Sequence, residues 1–374
     1  VFFDQPGSNN GERPVLNNVG TLNRSQAEGD ATIQAALNNQ GGTIAASRGS
    51  IIFEGGGSSS GGTLNASQTG TIAFSGGTHF LTGNYSGAVT DTGNIVLNGG
   101  AMKIEPDNAT FNFSDNGFTW RNGAIEGVGK LTNQGVFNIE NSNSRNFSQA
   151  VLENQGTLNW SAGEINGFNG ATLTNTAQGT LNITGGVFFD QPGSNNGERP
   201  VLNNAGTLNR SQAEGDATIQ ATFNNTGNVN VNTGSLQLDA GYTQNEGLTS
   251  IAEEATLQGN VEILGGTVQG NGFINGNITM GGTFAPGNSV GEIDVRGNYN
   301  QTTSGTLEIE IGGVDAFDRA FIDGDVTLAG RLEVSFLDDF TPSLGETYSV
   351  LSANNIEGDF NRFRGLELDN GLLL

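Results

Sequence analysis

Apolar residues seldom run together in this chain. They alternate with polar ones over four or five positions and then give way to Gly, Asn and Ser, as in TLNIT (180–184), VFNIE (136–140) and TIAFS (71–75). A period of two predicts short β-strands with one buried face. The intervening Gly and Asn accept left-handed backbone conformations and so predict turns. The alternation repeats. Leu16 and Leu37 are 21 apart, as are Leu131, Leu152 and Leu173, and Leu202 and Phe223. Gly20, Gly41 and Gly62 keep the same step, as do Gly135 and Gly156. The underlying motif is L-x-N-x-G-T-L-N. A period near 21 built from two or three short strands predicts an all-β parallel solenoid with coils of about 21 residues, not a globular sandwich.

A longer repeat overlies the short one. Residues 1–35 recur at 187–221 with a single change, Val19 to Ala205, at an offset of 186. That offset corresponds to nine coils of slightly varying length. A duplication must insert whole coils, because a one-residue slip turns the buried face outward. The near-identity marks a recent segmental duplication and leads us to expect an excerpt of a longer array. Over 374 residues the repeat predicts 17 or 18 coils, stacked to about 80–90 Å at the usual strand spacing. Residues 1–290 read as repetitive solenoid, and 291–374 as a β-rich C-terminal module or cap.

Composition supports strands over helices. Gly supplies 60 residues and Asn 48, and both are poor helix formers. The Gly period of collagen is absent. With 38 acidic and 14 basic residues, the net charge of −24 disfavours nucleic acid and anionic membrane surfaces as partners. No apolar run is long enough to span a membrane as a helix. Cys is absent, which removes disulfides and thiolate metal sites.

The asparagines associated with the L-x-N motif recur in phase: Asn17 with Asn38, then Asn133, Asn154 and Asn175, then Asn203 with Asn224. Stacked coils would place such amides one above another, where they can hydrogen-bond along the axis as a structural ladder. The insert DQPGSNNGERPV interrupts the rhythm twice and predicts loops leaving the solenoid. Asp4, Glu12 and Arg13, with their copies Asp190, Glu198 and Arg199, are the candidate contact residues there, since insertions in solenoids often carry the binding face. A lengthened turn without a partner is the alternative.

From about residue 228 the strands lengthen and charge returns. The box APGNSVG (285–291), the run GNYNQTTSGTLEIEI (297–311) and the stretch FDRAFIDGDVTLAGRLEVSFLDDFTPSLGETYSVLSA (317–353) resemble the C-terminal part of autotransporter passengers. The upstream coils are similar to filamentous-haemagglutinin-like repeats of the same broad group of bacterial surface proteins. The resemblance implies a right-handed parallel β-helix on the outside of a Gram-negative cell, serving as a stalk, sheath or fibre, with adhesion to surfaces or glycans as the alternative. The group's outer-membrane barrel and N-terminal secretion domain have no counterpart in these residues. Head-to-tail self-association is the expected partnership, since solenoid ends present unpaired strands. The apolar finish GLELDNGLLL suits strand donation.

Catalysis is not expected. His79 is the sole histidine and reads as a solvent-facing coil residue. With no Cys or second His, the usual zinc sites and Ser-His-Asp triads cannot be assembled. Polysaccharide-cleaving solenoids need paired carboxylates, and a carboxylate set duplicated 186 residues apart suits structure better. Asp315, Asp318, Asp323 and Asp325 form an oxygen-rich cluster that calcium could use, though they also read as acidic turn residues, as do the pairs Glu253–Glu254 and Asp338–Asp339. No cofactor is expected beyond that calcium option. A regular T-x-T face of the ice-binding kind is not evident.

Overall fold

The computed structural model describes residues 14–26, 28–185, 187–190 and 198–366. Every regular element among them is a β-strand, and all strand-to-strand ladders given in register are parallel. The fold is a parallel β-solenoid with coils of about 21 residues. Two compact units divide between Asn203 and Asn204.

In the first unit three short strands make a coil. Lys130–Asn133, Val136–Ile139 and Ser144–Ser148 are followed by Val151–Asn154, Thr157–Trp160 and Gly163–Phe168. Each lies on its equivalent in register: Leu131 on Leu152 on Leu173, and Phe137 on Leu158 on Leu181. Because side chains alternate, each strand buries every second residue, and those residues form columns along the axis. Aromatic columns fill the wider coils. Phe111, Phe118 and Phe137 pack as tilted rings with centroids 4.9 and 5.1 Å apart, and Trp120 and Trp160 are fully buried against Phe147 and Phe189. The Gly of the L-x-N-x-G motif has a steric cause. A Cβ at Gly156 would fall on the carbonyl of Gly135 in the coil below.

The second unit repeats the plan with Leu208, Val229, Thr249, Val268, Phe284 and Leu307 in one column. Coil length varies more than the sequence period implies. Thr306, Arg331 and Arg362 stack in register although 25 and 31 positions separate them. The described coils accordingly make about 15 turns, fewer than the 17 or 18 expected. Pairing also runs through residue 290 without a break, because Phe273–Asn275 pairs with Glu292–Val295 and Ile278–Met280 with Tyr299–Gln301. The extra residues go into a loop at 337–350, which returns Tyr348 edge-on to Phe317 at 5.3 Å.

Candidate functional site

The most regular chemistry of the chain lies where buried amides replace apolar side chains in the columns. Asn133 donates its Nδ2 to Asn154 Oδ1 at 2.7 Å, and Asn154 donates to Asn175 Oδ1 at 2.8 Å. Asn154 Nδ2 also reaches the carbonyls of Gly156 at 3.2 Å and Thr180 at 3.0 Å. Each amide thus satisfies the next coil's amide and the backbone at its own turn. Burial then costs little, because every donor and acceptor has a partner.

The ladder keeps the same phase, two residues after the inward-facing Leu or Phe, where two Asn follow that residue. There the buried series runs through Asn18 and Asn39, 2.7 Å apart, and in the second unit through Asn204 and Asn225, also 2.7 Å apart. The period of two decides this: Asn18 shares a face with Leu16, whereas Asn17 points the other way. Asn17 and Asn38 do bond each other at 2.8 Å, on the exposed side. Asn203 and Asn224 likewise occupy the outward position beside the buried Asn204 and Asn225. In the second unit glutamine continues the buried series. Asn225 donates to Gln244 Oε1 at 3.2 Å, and Gln244 Nε2 donates to the Gly265 and Thr267 carbonyls, each at 3.2 Å. Tyr242 and Thr249 hydroxyls close the cluster at 3.0 and 2.7 Å from Gln244 Oε1. The Y-x-Q pattern recurs at Tyr299 and Gln301, 2.8 Å apart.

A second, outward ladder accompanies the first. Asn182 donates to Asn159 and Asn159 to Asn138, each at 3.0 Å, and Asn230 donates to Asn209 at 2.9 Å. Its signal in the sequence is the T-L-N half of the motif, which repeats in the same phase. Replacement of Asn159 by Ala should lower stability by about 0.5–1.5 kcal/mol, the net worth of a partly hydrated hydrogen bond, read as a modest fall in thermal midpoint.

His79 is not solvent-facing. It is 2% exposed, packs edge-on to Phe74 at 5.0 Å, and bonds the Gly76 carbonyl through Nε2 at 3.1 Å. Burial pushes its pKa down to about 4. Arg145 is also buried, since it alternates with Phe147 on the inward face of Ser144–Ser148. Its Nη2 donates to the carbonyls of Arg121, Glu140 and Asn141 at 3.0, 2.6 and 3.0 Å, and its guanidinium lies against Trp120. Desolvation pushes its pKa down to about 10. It staples a turn whose carbonyls would otherwise lack donors.

The acidic cluster does not converge. Asp315, Asp323 and Asp325 are exposed, whereas Asp318 is 1% exposed and accepts the N–H groups of Gly291 at 2.9 Å and Glu310 at 2.7 Å. Among the described residues no three His, Asp or Glu side chains form a group able to hold a metal ion. Asp318 instead secures the APGNSVG box. Gly287 there has φ +95°, and a Cβ on it would strike the Ser289 carbonyl. The box exchanges two hydrogen bonds with the coil before it, Gly270 N–H to Gly287 O at 2.9 Å and the reverse at 2.7 Å. Glu253–Glu254 and Asp338–Asp339 sit in turns, with Glu254, Asp338 and Asp339 at positive φ.

Of the repeated insert, Asp4, Glu12 and Arg13 lie outside the described residues. The backbone of Asp190 ends the strand Val187–Asp190, and its side chain is also outside the description. Glu198 and Arg199 are exposed, and the Glu198 carbonyl accepts the Gly170 N–H at 2.9 Å. No protein-family model matches the chain, and no curated protein is significantly similar to it in sequence.

Proposed function

We propose that this chain is a structural segment of an extracellular β-solenoid, forming part of a stalk, sheath or fibre on a bacterial surface and extending by end-to-end strand pairing. The observation that carries the reading is the buried amide series, present in each unit, which binds coil to coil in addition to the backbone ladder. Such stacking serves stiffness and resistance to proteolysis, because no coil opens without breaking bonds to both neighbours. The acidic balance keeps the exterior soluble and self-repelling.

Two measurements test it. Protease added to intact producing cells should reach the chain while a cytoplasmic marker stays protected. Electron microscopy of the purified chain should show filaments longer than one molecule. Retention of the chain inside the cell would end the extracellular reading. Dispersed single molecules at high concentration would end the end-to-end assembly.

A further inference from the structure

Asn-Gly steps recur along the chain, and the fold sets one of them apart. At Asn116–Gly117 the Gly N–H donates to the Ser114 carbonyl at 3.1 Å, and at Asn169–Gly170 to the Glu198 carbonyl at 2.9 Å. At Asn122–Gly123 it donates to Oδ1 of Asn122 itself, at 2.7 Å. The carboxamide is therefore folded back over the peptide bond that follows it. Its Cγ lies one C=O bond from Oδ1, so at most about 3.9 Å from the Gly123 nitrogen. That is close to the roughly 3–3.5 Å at which positioned groups react.

The backbone at this step is irregular. Leu97 pairs with Trp120, Asn98 with Asn122 and Ala101 with Ala124, so the ladder to the coil below slips on both sides of Asn122. Toward the coil above, pairing stops at Trp120 and resumes at Ala124. A peptide unit is released from the ladder, as in a β-bulge. Gly123 takes φ +85°, and a Cβ on it would strike the Gly100 carbonyl. Glycine is needed for that turn, and it leaves the nitrogen unshielded. Both residues are half-buried, so water reaches them. Arg145 Nη2 holds the carbonyl of Arg121, immediately before the step, at 3.0 Å. Among the described residues Arg145 has no ion pair. A positive charge without a counter-ion beside the step favours the anion formed when an amide nitrogen closes on a carboxamide.

We propose that Asn122 is a self-modification site, converted to aspartate and isoaspartate without an enzyme while the solenoid stays folded. The Gly123 nitrogen gives its proton to solvent and bonds to Asn122 Cγ. The Cγ–Nδ2 bond breaks, and Nδ2 leaves as ammonia after taking a proton from solvent. One water then opens the cyclic imide. Attack at Cγ restores the ordinary main chain with an aspartate. Attack at the main-chain carbonyl leaves an isoaspartyl link, one backbone atom longer. The extra atom falls between Trp120 and Ile125, both fully buried, in the segment that no ladder holds. The reaction does not depend on where the protein resides or on whether it polymerises.

The purified chain should be aged at mildly alkaline pH, native and, separately, unfolded in urea. Digestion and mass spectrometry with electron-transfer fragmentation then distinguish aspartate from isoaspartate at each position. In urea, Asn116, Asn122 and Asn169 should react at comparable rates. In the native chain Asn122 should react at least about ten-fold faster than the other two, whose Gly N–H must first break a hydrogen bond to a backbone carbonyl. Hydroxylamine added to the aged native chain should trap the imide and cut between Asn122 and Gly123 before any other step. Asn122→Gln should remove both signals, with circular dichroism showing its strands intact. Native reaction at Asn122 no faster than at Asn116 and Asn169 overturns the proposal. So does reaction at Asn122 only in urea, or the absence of isoaspartate there.

Discussion

Asn154→Asp should unfold the first unit at neutral pH or bring it close to doing so. The substitution changes one side-chain nitrogen to oxygen and alters size hardly at all, so the whole effect is electrostatic. In the native chain Asn154 Nδ2 faces three acceptors, Asn175 Oδ1 and the carbonyls of Gly156 and Thr180. A carboxylate there would point oxygen at oxygen in a site that is 0% exposed and holds no cation among its hydrogen-bonding partners. An unpaired charge buried in this way costs several kcal/mol, a large share of the stability of an ordinary domain. Asn154→Leu is the control. It removes the same donor without adding charge and takes one partner each from the Asn133 amide, which keeps the Gly135 and Thr157 carbonyls, and from the Asn175 oxygen, for about 1–3 kcal/mol in all. Thermal melts should rank wild type above Leu and Leu above Asp at pH 7. The gap between Leu and Asp should narrow in acid, where a protonated carboxyl can donate once more. Equal melting of Asp and Leu at pH 7 would show that the amides are hydrated and the ladder carries no weight.

The solenoid was legible because alternation and the step of 21 both follow from backbone pairing, and pairing is indifferent to which apolar residue fills a column. The amide ladder was legible at Asn133, Asn154 and Asn175, where only one Asn follows Leu. At Leu16, Leu37, Leu202 and Phe223 two Asn follow; the expected pair Asn17–Asn38 does bond, on the exposed side, and the buried series takes the second Asn of each pair. Counting two residues from Leu, as the strand period requires, selects Asn18, Asn39, Asn204 and Asn225. Tertiary replacements were not legible. Gln244 and Gln301 take over the buried amide role through a longer side chain held by Tyr242 and Tyr299, and neither resembles the L-x-N signal. A lone histidine reads as exposed, yet His79 alternates with Leu81 on the buried face of the strand Thr78–Val89, which pairs with Gly57–Ala66. Strand pairing continues in register across residue 290, since longer coils pair by the same rule as short ones.

Acidification should act in opposite directions on the two units. Asp318 accepts two backbone N–H bonds, which favour its charge, but burial outweighs them, and the carboxylates of Glu310 and Glu308 on the neighbouring strand add to the rise; the Arg319 guanidinium is engaged on the Phe317 ring. The pKa is pushed up from the ordinary 3.8 to about 7. The folded second unit therefore holds a proton that the unfolded chain has released between about pH 4 and 7, and stability in that window falls as pH rises, by at most roughly 1.4 kcal/mol per unit. His79 in the first unit behaves inversely. Its folded pKa of about 4 lies below the ordinary 6.5, so between those values the unfolded chain binds the proton and stability falls as pH drops. Hydrogen exchange from pH 4.5 to 7 should show protection rising with acid around Gly291 and Glu310, and falling around Phe74 and Gly76. Asp318→Asn should abolish the first trend and leave the second, and His79→Phe should do the reverse. If both regions respond in the same direction, the slopes come from the chain's overall negative charge, which acid relieves everywhere, and not from these two buried groups.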